Sequence, residues 1–379
     1  MPNELVLTNA RIVLEDRILS GSVRIVDGVI ADVSEGNASS GEDFGGDYLI
    51  PGLVELHTDH LEIHYSPRAG LRWNKTAAIQ AHDAQVASSG ITTVFDCLRM
   101  GAEIDSGFRK GEMREMADAI SKASAEGRLR AEHLLHLRCE VSTADVLDHV
   151  EDFAEDRNVK LISLMDHAPG QRQFQTMDQY IMYYKTSKGL SDAEFADFVR
   201  RRLEASDRYA RPHREALARF CAERGIALAS HDDATLDHVD EAVSYGTRLA
   251  EFPTSVDAAR ASHEAGMSVL MGAPNVVRGG SHSGNIAAAD LAKLGLLDVL
   301  SSDYVPLSLM HAPFILADTV EGLDLPKAIA LVTATPARTV HLDDRGRIAP
   351  GLRADLVRVE RHGDVPVVRS VWRQGKRVA

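Results

Sequence analysis

In Pro51-Gly52-Leu53-Val54-Glu55-Leu56-His57-Thr58-Asp59, a Pro-Gly turn feeds an apolar run that ends on a histidine and an aspartate two positions apart. In a β-strand that spacing puts both side chains on one face, where an imidazole and a carboxylate can share one metal ion. The pattern recurs down the chain. Glu140 ends HLLHLRCE, His167 ends ISLMDH, His231 ends IALASH and Asp303 ends VLSSD, so six candidate ligands fall at the ends of five strand-like runs. Nitrogen and carboxylate donors without cysteine suit Zn²⁺, Mn²⁺, Fe²⁺ or Co²⁺. Six donors are too many for one catalytic ion that keeps an open position, whereas two ions bridged by a carboxylate would use them all. One or two divalent ions are therefore expected.

Residues scattered from position 57 to position 303 converge only if the elements carrying them end at one place. Eight apolar runs, at 49–59, 91–98, 133–140, 160–167, 226–233, 249–254, 268–275 and 299–306, alternate with helical stretches such as KTAAIQAHDAQVASSG, REMADAISKASAEG and HREALARFCAERG. This order predicts a (β/α)₈ barrel over residues 49–342, in which the C-terminal strand ends gather around one mouth. A doubly wound sheet is the rival, and it explains polar residues at nearly every strand end less well. Short alternating runs at 4–34 and from 354 onward predict that residues 1–48 and 343–379 together form a small β-domain of the sandwich type.

Composition narrows the partners. The 379 residues, 44% hydrophobic and 26% charged, fit a large folded core, and a net charge of −14 argues against a nucleic-acid coat or an anionic-membrane binder. Three widely spaced cysteines without a CxxC motif point to a reducing, cytoplasmic setting, and no run is long and apolar enough for a signal peptide or a spanning helix. Among the other histidines, His133 and His136 read as structural, while His82, His149, His238 and His263 lie in helical stretches and read as solvated or packed. His60, Glu62 and His64 read as substrate contacts or supports for ligands. Asp166, Asp232 and Asp233 could orient imidazoles or cap the following helices.

PGLVELHTD, the β-domain made from both termini, the strand-end histidines and the late SSD resemble the amidohydrolase superfamily, whose barrels hold one or two metals. HTDHLE, AHDAQVASSGITTVFD, HLRCE, LMDHAPGQRQF, ASHDDAT, AEFPTS, MGAPNVVRGGSHSGN and LSSDYVP extend the resemblance, along nearly the whole chain, to a branch serving carbon–phosphorus lyase metabolism. That resemblance implies hydrolysis of α-D-ribose 1-methylphosphonate 5-triphosphate to the 5-phosphate and pyrophosphate. The commoner superfamily activity, hydrolysis of an amide or cyclic imide, is the alternative. By position, the resemblance implies His57, Asp59 and Asp303 on one ion, His167 and His231 on the second, and Glu140 as the bridge. Two features depart from the usual superfamily pattern: His-x-His becomes His57-x-Asp59, and no lysine stands where a carboxylated lysine would bridge, since Lys160 begins its strand.

Phosphoanhydride hydrolysis needs an activated water and neutralised phosphoryl oxygens. Asp303 is the expected general base. The segment Arg278-Gly279-Gly280-Ser281-His282-Ser283-Gly284-Asn285 follows the seventh strand, where barrels often hold phosphate. It makes Arg278, Ser281, His282 and Asn285 candidate substrate contacts, with Arg172 and Lys185 adding charge from the stretch after the fourth strand. The resemblance implies a small ribose triphosphate as partner, no nucleic-acid or membrane partner is expected, and self-association as a homo-oligomer is compatible with this reading.

Overall fold

The computed structural model describes residues 3–68, 70–101, 111–169, 172, 181, 189–280 and 285–379. Lys185, Ser281 and His282 lie outside the described residues. By packing, the chain forms two compact units. The first comprises Met1–Asp96, Asp118–Leu134 and Met271–Ala379, and the second Cys97–Ala117 and Leu135–Leu270.

The chain opens with β1 (Glu4–Val13), β2 (Ile18–Val26), β3 (Val29–Glu35), β4 (Glu42–Asp43) and β5 (Tyr48–Pro51). Then come β6 (Leu53–Thr58), β7 (Ile91–Met100), β8 (Glu132–Glu140), β9 (Val159–Met165), β10 (Ala227–His231), β11 (Leu249–Glu251), β12 (Ser268–Gly272) and β13 (Val299–Ser301). The last strands are β14 (Leu356–His362), β15 (Val365–Arg373) and β16 (Lys376–Arg377). β6 to β13 are neighbours in chain order in one eight-stranded sheet, with parallel pairing wherever register is defined. The sheet closes where β6 meets the end of β13: Thr58 bridges Asp303 in parallel, and the Asp59 amide donates to the Asp303 carbonyl at 2.9 Å. This is the expected (β/α)₈ barrel.

Strands from both chain ends build the second sheet, in the order β16-β15-β14-β5-β1-β2-β3, with β4 on β1. Apolar residues of these strands, joined by Phe44 just after β4, meet in a core that includes Leu7, Ile12, Val23, Ile25, Leu49, Leu356 and Trp372. Phe44 and Trp372 stack with ring centroids 5.9 Å apart. The run 49–59 divides here: Leu49 and Ile50 pair with β14, while Leu53 onward pairs with β7. Gly52 makes the handover, because a Cβ at that position would lie 2.2 Å from the Thr92 hydroxyl. Only glycine lets the two strands approach so closely.

The expected helix over HREALARFCAERG is the last part of a far longer one, Asp192–Arg224. Ser191 and Glu194 form a capping box at its start, and Gly225, at φ 64°, ends it. Pro212 lies inside without terminating it. The helix is tied to two strand ends of its unit. His213 donates from Nδ1 to the Val141 carbonyl, just after β8, at 3.0 Å, and Ser206 and Arg214 both donate to Asp166, just after β9, at 3.0 and 2.9 Å.

Candidate metal centre

In the first unit, β6 places Glu55 and His57 on one face by simple alternation, whereas Asp59, expected to continue that strand face, lies beyond the strand as the N-cap residue of the helix His60–Tyr65. His57 is buried, and one donor atom each of His57, Asp59 and Asp303 lies within 4.8 Å of the others. Asp303 has φ 54°, a conformation that is strained for a residue with a Cβ. Neighbouring strand ends hold it there: its amide donates to the His57 carbonyl at 3.1 Å, and its own carbonyl accepts from Thr58 Oγ1 at 3.0 Å. The fixed backbone determines where the carboxylate can point. Glu55, which sequence reasoning passed over although it shares the parity of His57, accepts from the amides of His57 and Ser302 at 2.7 and 2.5 Å. Complete burial pushes its carboxyl up to about 8 against those hydrogen bonds.

In the second unit, His167, His231 and Asp232 form another donor group within 4.8 Å. A buried carboxylate holds Nδ1 of each imidazole, Glu140 Oε2 on His167 at 2.5 Å and Glu251 Oε2 on His231 at 3.0 Å. With Nδ1 carrying the proton, Nε2 is left with its lone pair for an ion. Glu140 was expected to bridge two ions. Its oxygens here also accept from the His167 amide at 3.0 Å and from Ser142 Oγ at 2.6 Å. Burial would raise the Glu140 carboxyl, but the adjacent His167 outweighs it and brings it down to about 2. Asp232 is the carboxylate grouped with the two imidazoles. Burial pushes Asp232 up to about 6, and its buried Oδ2 has no hydrogen-bond partner among the described residues. A buried carboxylate oxygen without a donor is what a cation ligand presents before the cation arrives. The donor sets of both groups therefore fit divalent ions. Glu251 ends β11 as the other candidate acids end their strands, so the same positional signal applies to it.

The sequence-selected basic residues have mixed placements. Arg172 is buried, with its guanidinium on Asp233 and on Glu241, the latter at 2.9 Å. Two carboxylates therefore engage the charge that the sequence assigns to substrate. Arg278 is exposed at the C-terminal end of the helix Ala273–Arg278, ahead of Gly279 in a left-handed cap. Asn285 is half-buried.

A third polar cluster is internal to the first unit. His60 and His82 meet through their Nδ1 atoms at 3.1 Å, and His82 Nε2 reaches Asp96 Oδ1 at 2.8 Å. The other Asp96 oxygen accepts from His133 Nδ1 at 2.7 Å, and His133 Nε2 reaches Asp83 at 3.3 Å. Burial disfavours charge on His133, but the two aspartates outweigh it and raise it to about 9. His82, expected to be solvated or packed, is fully buried in this hydrogen-bonded chain. Its helical spacing concealed the role.

The chain belongs to the amidohydrolase family, whose sequence pattern it matches over residues 64–379. It is 46% identical over 377 residues to the alpha-D-ribose 1-methylphosphonate 5-triphosphate diphosphatase of Escherichia coli (strain K12), covering 99% of this chain and 100% of that protein. Among solved structures, a Xaa-Pro dipeptidase with bound methionine superposes with a TM-score of 0.67 at 16% identity, covering 99% of each chain. A D-hydantoinase superposes with a TM-score of 0.61 at 15% identity, covering 99% of this chain and 95% of that one. At such identities these two establish the shared fold alone.

Proposed function

We propose that this protein hydrolyses α-D-ribose 1-methylphosphonate 5-triphosphate to the 5-phosphate and pyrophosphate, using one or two divalent ions. The observation that carries the reading is the full-length 46% identity to the diphosphatase. Two donor groups suited to divalent ions support it.

In this reading His57, Asp59 and Asp303 hold one ion, and His167 and His231, with Asp232, hold another. When bound, such ions neutralise phosphoryl oxygens and make water acidic enough to be a nucleophile near neutral pH. Asp303 positions the attacking water and receives its proton as the oxygen meets the α-phosphorus. Pyrophosphate then departs. Glu140 and Glu251 keep the imidazoles of His167 and His231 in the tautomer that offers Nε2. Arg278 and Asn285 flank the glycine-rich segment, whose Ser281 and His282, with Lys185, complete the proposed substrate contacts. The three cysteines are buried and form no disulfide, which supports a reducing cytoplasmic setting.

The test is to incubate metal-loaded protein with the ribose triphosphate and with a panel of nucleoside triphosphates, following products by phosphorus NMR. Pyrophosphate from the ribose substrate is the expected product. Orthophosphate alone, or no turnover beside cleavage of a cyclic imide or amide, overturns the reading.

A further inference from the structure

We propose that His60, His64 and His82 form a further metal site, suited to Zn²⁺ or a neighbouring late transition ion. It lies wholly in the first unit and does not depend on which substrate the protein hydrolyses. His60 and His64 stand four positions apart on the helix His60–Tyr65, the spacing that puts two imidazoles on one helix face in helical zinc sites. His82 comes from the helix Lys75–Ser88. Ring centroids are 4.7 Å apart for His60 and His64, 5.4 Å for His60 and His82, and 6.4 Å for His64 and His82. Nitrogens that share a tetrahedral zinc ion lie about 3.4 Å apart. The Nδ1 atoms of His60 and His82 are already 3.1 Å apart. His64 stands edge-on to His60, at an interplanar angle of 78°, and turns toward that pair to complete the set.

The hydrogen bonds leave the required nitrogens bare. His82 Nε2 donates to Asp96 Oδ1 at 2.8 Å, so in the neutral ring Nδ1 keeps its lone pair. This is how Glu140 and Glu251 brace His167 and His231, with the two nitrogens exchanged. Two Nδ1 atoms in contact hold one proton between them, so His60 is the donor to His82. An ion takes both lone pairs once that proton moves to the other nitrogen of His60, and each ring stays neutral. His64 Nε2 is buried without a hydrogen-bond partner among the described residues. The hydrogen bond between His64 and Gln85 is therefore at Nδ1, which leaves the lone pair on Nε2. A buried bare nitrogen beside two others is unexplained by packing and is accounted for by a ligand. Asp96 accepts from both His82 and His133, so it braces the site without joining it. Three imidazoles suit zinc, copper or nickel and leave a fourth tetrahedral position for water.

The test counts Zn²⁺ retained by the full chain after equilibrium dialysis and follows Co²⁺ binding by visible absorption. It compares the wild type, His60→Asn, His64→Gln, His82→Gln, and a double variant, His57→Asn with His167→Asn, which removes one ligand from each donor group described above. The double variant should still hold about one ion per chain, and adding His64→Gln to it should abolish that ion. Each single variant should hold about one ion fewer than the wild type and lose part of the Co²⁺ absorption. An unchanged ion count in His64→Gln overturns the site, as does loss of every ion from it, which would make His64 a support for the Asp59 group. If His82→Gln or the double variant fails to fold, the half-buried His64 in the otherwise native chain decides. Turnover of the ribose triphosphate is scored separately: its absence beside the expected ion counts removes the proposed reaction and keeps this site, and its presence beside unchanged counts removes only this site.

Discussion

His167 and His231 are built alike: a buried carboxylate takes Nδ1 and leaves Nε2 for an ion. Replacing Glu251 by glutamine weakens the acceptor on His231 and frees the tautomer. The ion affinity should fall about ten- to hundredfold, read by competition with a chromophoric chelator, while the far-UV circular dichroism stays the same. Unaltered affinity would show that Glu251 does not brace the ligand. Asp303 carries a different burden, because its carboxylate is the proposed proton acceptor on a backbone already set at φ 54°. Asp303→Asn should cut kcat by roughly a hundredfold or more without changing the melting profile of the metal-free protein. Retention of near wild-type turnover would exclude the general-base role.

At the scale of elements, the chain His82–Asp96–His133–Asp83 ties the helix Lys75–Ser88 to β7 and β8 inside the first unit. The folded protein raises His133 from its ordinary value near 6.5 to about 9, so folding takes up a proton there and the folded state favours low pH at this site. Its stabilisation is complete below about pH 6.5 and is lost as pH climbs through about 9. Denaturant melts should therefore show stability falling across that window by roughly 3 kcal/mol in the wild type. The fall should be largely absent in Asp96→Asn, which is less stable at neutral pH. An equal slope in both proteins would mean that another group dominates. The long helix depends on a comparable arrangement. Arg214→Ala leaves Asp166 and Glu241 short of a buried cation, and a loss of about 3–5 kcal/mol is expected in urea unfolding.

At the scale of the whole molecule, a chain with a net charge of −14 is proposed to recognise a polyanion. Its average field opposes that substrate, so local cations must reverse it. Ions that bind only the folded chain stabilise it by mass action, about 3–4 kcal/mol when free ion exceeds Kd by a hundred- to a thousandfold. Exhaustive chelation should lower Tm by several degrees, and adding back one divalent ion should restore it. A melting profile indifferent to chelator would argue that neither donor group holds an ion.

The sequence alone determined the order and type of the barrel strands and the joining of both termini in one sheet, and it singled out His57, Asp59, His167, His231 and Asp303, which lie in two groups that could hold an ion. Each of these follows from local physics: alternation along a strand, polar residues at strand ends, and turns at Pro-Gly and Gly. What only tertiary structure decided depends on pairings between distant residues. Glu251 braces His231 because strand register sets them side by side, Glu140 meets His167 two residues past its register partner Met165, and Asp232 joins the two imidazoles just after β10. Arg172 is engaged by Asp233 and Glu241, 61 and 69 positions away, at a range where no periodicity carries a signal. His82 is buried against Asp96 for the same reason. A side chain's type and local spacing set what chemistry it can do. Which partner takes its hydrogen bonds, and so whether that chemistry is available, is set by neighbours that only the folded chain supplies.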